Sequence, residues 1–246
     1  MCYHKSLTAK YEQLAEYYST SHSNLVAEMY SVKFHENGFD FQPGPVVTAG
    51  KPSEIQMFRW GLVPFWVKDL PSATRLKIST LNCISKEMFE KPSYRDAAKE
   101  GKRCLIPCSG FFEWRWMDEK GKTKIPYFIS LKDQPIFSLA GLYSRWMDKT
   151  TDQAYYSYTV LTTTANAMMS TIHNTKQRMP VILPREYEKD WLNRNLSKDD
   201  VLALCQPIDD GLMTAHTISK RITSKKEETN VPEILDVQQY EELNSK

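Results

Sequence analysis

Residues 103–116 read RCLIPCSGFFEWRW. Apolar and aromatic residues at this density predict a strand that is buried for most of its length. Glu113 stands between Phe112 and Trp114 at the end of that run. Similar runs follow downstream in KIPYFISL (124–131), PIFSLAGLYSRW (135–146) and YYSYTVLTT (155–163), with a hairpin signal in DEKGKT (118–123). Upstream, FDFQPGPVVTAGKPSEIQMFRWGLVPFW (39–66) is punctuated by Pro and Gly and reads as strands joined by turns.

Helical patterns surround these strands. Tyr11, Leu14, Ala15 and Tyr18 recur at helical spacing, which predicts one helix within residues 8–30. SYRDAAKEGK (93–102) predicts a short helix with Ser93 as its N-cap and Gly101 as its stop. TTANAMMSTIH (163–173) reads as helical, and PREYEKDWLN (184–193) as a helix entered through a proline. The expected fold is α+β: one domain over residues 1–246, a strand-rich mixed β core with flanking helices. Residues 210–246 are charged, show no core pattern and are expected to be peripheral.

The bulk numbers exclude several classes. A chain of 246 residues with 41% hydrophobic and 25% charged residues is ordinary for a globular protein. A net charge of +2 does not by itself announce nucleic-acid binding. Five irregularly spaced cysteines argue against a disulfide framework and for a reducing cytoplasm. No apolar run approaches the roughly 20 residues of a membrane helix, and the start MCYHKS lacks the features of an export signal. No metal or cofactor is expected: Cys104 and Cys108 have no second pair at ligand spacing, and no Gly-rich phosphate loop is present. A monomer is the expected state.

Four places could carry chemistry. If Met1 is trimmed, Cys2 presents an α-amine and a thiol on adjacent carbons. Their ordinary pKa values, near 8 and 8.5, leave both partly reactive at neutral pH. An amine condenses with an aldehyde, and the neighbouring thiol can close onto the imine to give a thiazolidine; the alternative use is amide hydrolysis with the amine as base. Glu113, among aromatic residues, is either a desolvated proton shuttle or a strand glutamate facing solvent. His173 either caps a helix or acts as an acid/base near physiological pH, and Arg178 could clamp a phosphate or a carboxylate. Trp60 and Trp66 either anchor the core or offer faces to unstacked bases. Asn82 is a possible hydrogen-bond positioner.

Taken in order, Met-Cys2, Trp60-Gly-Leu-x-Pro-x-Trp66, Asn82-Cys, Arg103-Cys-Leu-Ile-Pro-x-x-Gly-Phe-x-Glu113-Trp, Ile-His173 and Arg178-Met-Pro-Val-Ile-Leu resemble the SRAP family, the SOS-response-associated peptidases or abasic-site-processing proteins. The resemblance is strongest over residues 2–185. It implies a sensor that binds single-stranded DNA and crosslinks to the ring-opened aldehyde of an abasic site through Cys2 after loss of Met1, with autoproteolytic and weak lyase chemistry. It assigns Cys2, Asn82, Glu113 and His173 to catalysis. Trp60, Leu62, Pro64, Trp66 and Arg178 are assigned to DNA contact, and the location would be cytoplasmic, on the nucleoid when DNA is bound. This chain departs from the pattern at Tyr3 and His4, where Gly-Arg is usual, at Ile84, where an arginine is usual, and in the four residues between His173 and Arg178. Lys5, Lys68, Lys86 and Lys176 are the cations expected to compensate.

Overall fold

In a computed structural model of the chain, residues 2–243 are described. Thirteen strands and seven α-helices alternate among them. The first third holds β1 (His4–Leu7), α1 (Tyr11–Tyr18), α2 (Asn24–Met29), β2 (Lys33–Asn37), β3 (Pro43–Thr48), β4 (Lys51–Trp60) and α3 (Leu70–Ser79). The middle holds β5 (Asn82–Ile84), α4 (Arg95–Lys99), β6 (Arg103–Cys108), β7 (Gly110–Trp116), β8 (Lys124–Leu131), β9 (Phe137–Asp148) and β10 (Gln153–Thr164). Then come α5 (Ala167–Ile172), β11 (Arg178–Pro180), β12 (Ile182–Leu183), α6 (Glu188–Leu192), α7 (Lys198–Ala203) and β13 (Met213–Thr217). The α+β expectation holds.

The run 103–116 is not one strand. It breaks at Ser109, and its halves join different sheets. β6 enters an eight-stranded sheet in which β10, β4, β3, β6 and β9 pair in a closed ring, with β5, β11 and β12 attached. β7 enters a five-stranded sheet ordered β13-β8-β7-β1-β2. At the break Ser109 N–H donates to Ser6 O at 2.8 Å, and Thr8 N–H donates to Ser109 Oγ at 3.2 Å, which ties the crossing to β1. Gly110 is required there, because a Cβ would fall 2.1 Å from the Phe128 ring. Both halves are buried, so hydrophobic pattern alone reads straight through the crossing.

Cys2, Trp60, Phe111, Leu139 and Val160 belong to a buried cluster between the two sheets. A second cluster gathers Leu14, Val47, Leu105, Leu142 and Trp191 beneath α1, α4, α6 and α7. Arg103, itself buried, latches α6: its Nε donates to Trp191 O at 2.8 Å, while Trp191 Nε1 donates to Cys104 O at 3.0 Å.

Three further expectations are corrected. Residues 8–30 form two helices, because Ser19 takes a left-handed conformation (φ 52°) that ends α1, and Ser23 Oγ caps α2 by accepting from Val26 N–H. The N-cap of α4 is Tyr94, not Ser93, whereas Gly101 (φ +64°) does terminate that segment. The C-terminal segment is integral: β13 pairs along β8, and Ile218, Ile222 and Ile234 are buried against Phe112 and Phe128. Asn230 Oδ1 accepts from Phe34 N–H, tying this segment to β2. No helix among the described residues is long and apolar enough to cross a membrane.

Candidate active site

Glu113 lies on β7, which pairs with β8 on one side and β1 on the other. It is 4% exposed, and its Oε2 stands 4.0 Å from His173 Nε2. His173 ends α5 and is 6% exposed. Its Nδ1 lies 2.7 Å from Arg178 O. The same nitrogen lies 3.3 Å from Arg178 N, so the Arg178 backbone fixes the ring and turns Nε2 toward the carboxylate. Both residues line a cleft of about 390 Å³, together with Tyr3, His4, Trp114 and Trp116.

Cys2 lies behind this cleft, with 0% exposure. Its Sγ is 3.6 Å from His4 O. Burial pushes the thiol pKa well up, the negative charge of Glu113 and the nearby Cys108 push the same way, and Lys5 opposes them. The thiol is therefore protonated at neutral pH. Met1 lies outside the described residues. Asn82 opens β5, opposite Val160 on β10. Both Val160 and Leu81 belong to the buried cluster that contains Cys2. Among the described residues, neither the Oδ1 nor the Nδ2 of Asn82 has a hydrogen-bond partner, although both are buried. Such an amide is costly unless a ligand completes it. Its backbone carbonyl is held by Tyr94 Oη at 3.0 Å.

The family model for SOS response associated peptidase (SRAP) matches residues 1–225. The chain belongs to the SRAP family. It is 37% identical to the abasic site processing protein YoaM of Bacillus subtilis, over 79% of this chain and 81% of that one. It is 31% identical to the abasic site processing protein HMCES of Xenopus tropicalis, over 74% of this chain and 56% of that longer one. A crystal structure of a Bacteroides thetaiotaomicron protein superposes with a TM-score of 0.90 at 39% identity, covering 97% of this chain and all of the other. A Bordetella bronchiseptica protein, at 22% identity and a TM-score of 0.73, shares the fold.

Within this SRAP chain the nine residues singled out from sequence separate into two groups. Glu113 and His173 line the cleft with Cys2 behind it, half-buried Asn82 sets its buried amide beside the same cluster, and Arg178 influences the same neighbourhood. The Glu113 charge pushes the Tyr3 hydroxyl up and Arg178 pulls it down, although burial is the largest effect on that group. The apolar segment is different. Trp60 and Leu62 are 0% exposed and Pro64 is buried, so none of the three offers a face to DNA. Trp60 is a floor residue: its Nε1 donates to Leu81 O at 2.7 Å and its ring stacks 6.1 Å from Tyr158. Trp66, at 45% exposure, is the member of that segment with an open indole, next to exposed Phe65. Of the compensating cations, Lys5 is buried in an ion pair with Glu36 at 2.5 Å, whereas Lys68, Lys86 and Lys176 are exposed.

Sequence reading missed the walls of the cleft. Lys124 lies over the Trp116 ring at 4.5 Å, and Trp116 and Lys124 are opposed across β7 and β8. The extra residues after His173 are pinned there, since Asn174 accepts from Trp116 N–H at 3.1 Å and donates to Trp116 O at 2.8 Å. The aromatic-charged alternation of EWRW was the available signal. Among the described residues no group of three or more His, Cys, Asp or Glu could hold a metal ion.

Proposed function

We propose that this protein processes abasic sites by binding single-stranded DNA and capturing the ring-opened sugar through Cys2 once Met1 is gone. The observation that carries the reading is the buried Cys2 behind the Glu113–His173 cleft, a residue that becomes a 1,2-aminothiol when Met1 is lost. The names of the relatives support it. The α-amine of Cys2 adds to C1′, and the resulting carbinolamine loses water with Glu113 and His173 moving the protons. Sγ then bonds to C1′ as the thiol proton leaves and the nitrogen gains one. Aldehyde and aminothiol give a thiazolidine and one water. Asn82 uses its amide to hold the sugar or the Cys2 backbone, and Arg178 meets a phosphate. The imine also acidifies the C2′ protons, so slow β-elimination follows from the same intermediate. The same nucleophile and acid/base pair would release a leader segment by self-cleavage.

Intact-mass measurement tests this on the protein mixed with an oligonucleotide bearing one abasic site. The expected species has the mass of the Met1-less protein plus the oligonucleotide minus one water. It is absent with Cys2→Ala and with a normal oligonucleotide. Met1-less protein that forms no adduct overturns the proposal, and turnover of a peptide amide by that protein would assign an N-terminal-nucleophile hydrolase instead.

A further inference from the structure

The turn between β2 and β3 places aromatic rings and cations beside the cleft. Phe39, 42% exposed, has its ring centroid 5.1 Å from that of Tyr3, which follows Cys2 directly and lines the cleft with Glu113 and His173. The turn is fixed to that residue: Gly38 N–H donates to Tyr3 O at 2.8 Å, and the lack of a Cβ at Gly38 lets the Trp60 ring pack beneath it. Phe41 closes the turn with φ 52°, a conformation strained for a residue with a Cβ. Two cations converge on it. Arg59 Nη1 donates to Phe41 O at 3.1 Å, and Lys77 Nζ stands 4.1 Å from the Phe41 ring centroid. Among the described residues neither cation makes an ion pair with an acid, including Asp40, which is exposed on the same turn. Burial and the neighbouring Arg59 charge both push the Lys77 amine down. Two crowded cations, Lys77 over the Phe41 ring and Arg59 on the Phe41 carbonyl, are relieved by an anion.

We propose that this turn is the subsite for the nucleotide next to the trapped abasic residue: Tyr3 and Phe39 stack its base, and Lys77 with Arg59 takes its phosphate. The inference rests on the capture of abasic DNA by Cys2 and names what lies beside the reacting sugar. A residue without a base leaves its neighbour unstacked on one side. An aromatic platform one residue from the nucleophile replaces that lost contact without reading sequence.

The test is the affinity of the Met1-less protein for an oligonucleotide carrying a tetrahydrofuran abasic analogue, which has no aldehyde. It is compared with an oligonucleotide in which both neighbouring positions also lack a base. Phe39→Ala is expected to weaken binding to the first about fivefold or more and to lose nothing on the second. Lys77→Gln is expected to flatten the slope of log affinity against log salt by about 0.7. Phe39 is largely exposed, and unchanged melting temperatures will establish that both variants fold. Wild-type affinity and salt slope in both variants overturn the subsite, as does an equal loss by Phe39→Ala on the two oligonucleotides. Adduct formation with an aldehydic abasic oligonucleotide is scored in parallel. An adduct with wild-type protein alongside unaffected variants removes the subsite and leaves the capture reaction standing. No wild-type adduct removes the capture reaction itself.

Discussion

In the proposed capture Cys2 would meet an aldehyde with a thiol that desolvation and the Glu113 charge keep protonated. In that reaction the amine would act first, and the thiol would close the ring only as its proton departs. Glu113→Gln removes the proposed proton acceptor without removing volume. It should slow adduct formation roughly 10²- to 10⁴-fold and leave affinity for the tetrahydrofuran oligonucleotide unchanged, a split read by single-turnover rates beside anisotropy. Lys5 shows where residue-level reading from sequence stops. The run Tyr3-His4-Lys5-Ser6-Leu7 has no alternation that would tell a solvated lysine from a buried one. Only the opposing Glu36, 31 positions away, explains it. Lys5→Met strands that carboxylate and should lower unfolding free energy by about 3–5 kcal/mol in urea titrations, with Lys5→Met/Glu36→Leu recovering most of the loss.

Among the elements, β6 and β7 carry the lesson of the crossing at Ser109. The motif residues of 103–116 were legible, and so was the presence of strands. The change of sheet was not, because a residue buried under one sheet looks like a residue buried under another. What marks the crossing is steric: Gly110 admits the Phe128 ring and Ile129 O against its backbone. Gly110→Ala should destabilise by at least about 1–3 kcal/mol in thermal or urea unfolding, and should slow the reaction at Glu113, three residues along the same strand. The two-helix break at Ser19 was hidden for a related reason, since apolar spacing continues past a backbone conformation that no side chain announces. In the C-terminal segment Ile218, Ile222 and Ile234 sit on short turns and coil without strand or helix period, so their burial had no periodic signature.

For the molecule as a whole, the family match ends at residue 225, yet the buried cluster it would leave open is completed by Ile234. Two histidines sit at that junction. His4 Nδ1 meets His35 Nε2 at 2.8 Å, and His35 Nδ1 meets Thr229 Oγ1 at 2.9 Å. Desolvation first, and for His4 its partner second, holds them at about 3 and about 4. The unfolded chain binds protons near pH 6.5 that the folded chain refuses, so stability is intact above that pH and falls as pH drops toward 4. The slope is at most about 1.4 kcal/mol per pH unit for each histidine. Urea midpoints between pH 7.5 and 4.5 should fall accordingly, and less steeply in His35→Asn. The position of β1 has a mechanical side as well. Cys2 leads straight into a strand paired antiparallel with β2 on one edge and β7 on the other. A load applied at Cys2 along that strand, such as tension from a motor moving on attached DNA, shears two ladders together instead of peeling bonds one by one. Hydrogen bonds loaded in parallel share the force, so the five-stranded sheet acts as a grip that yields only when both ladders fail at once.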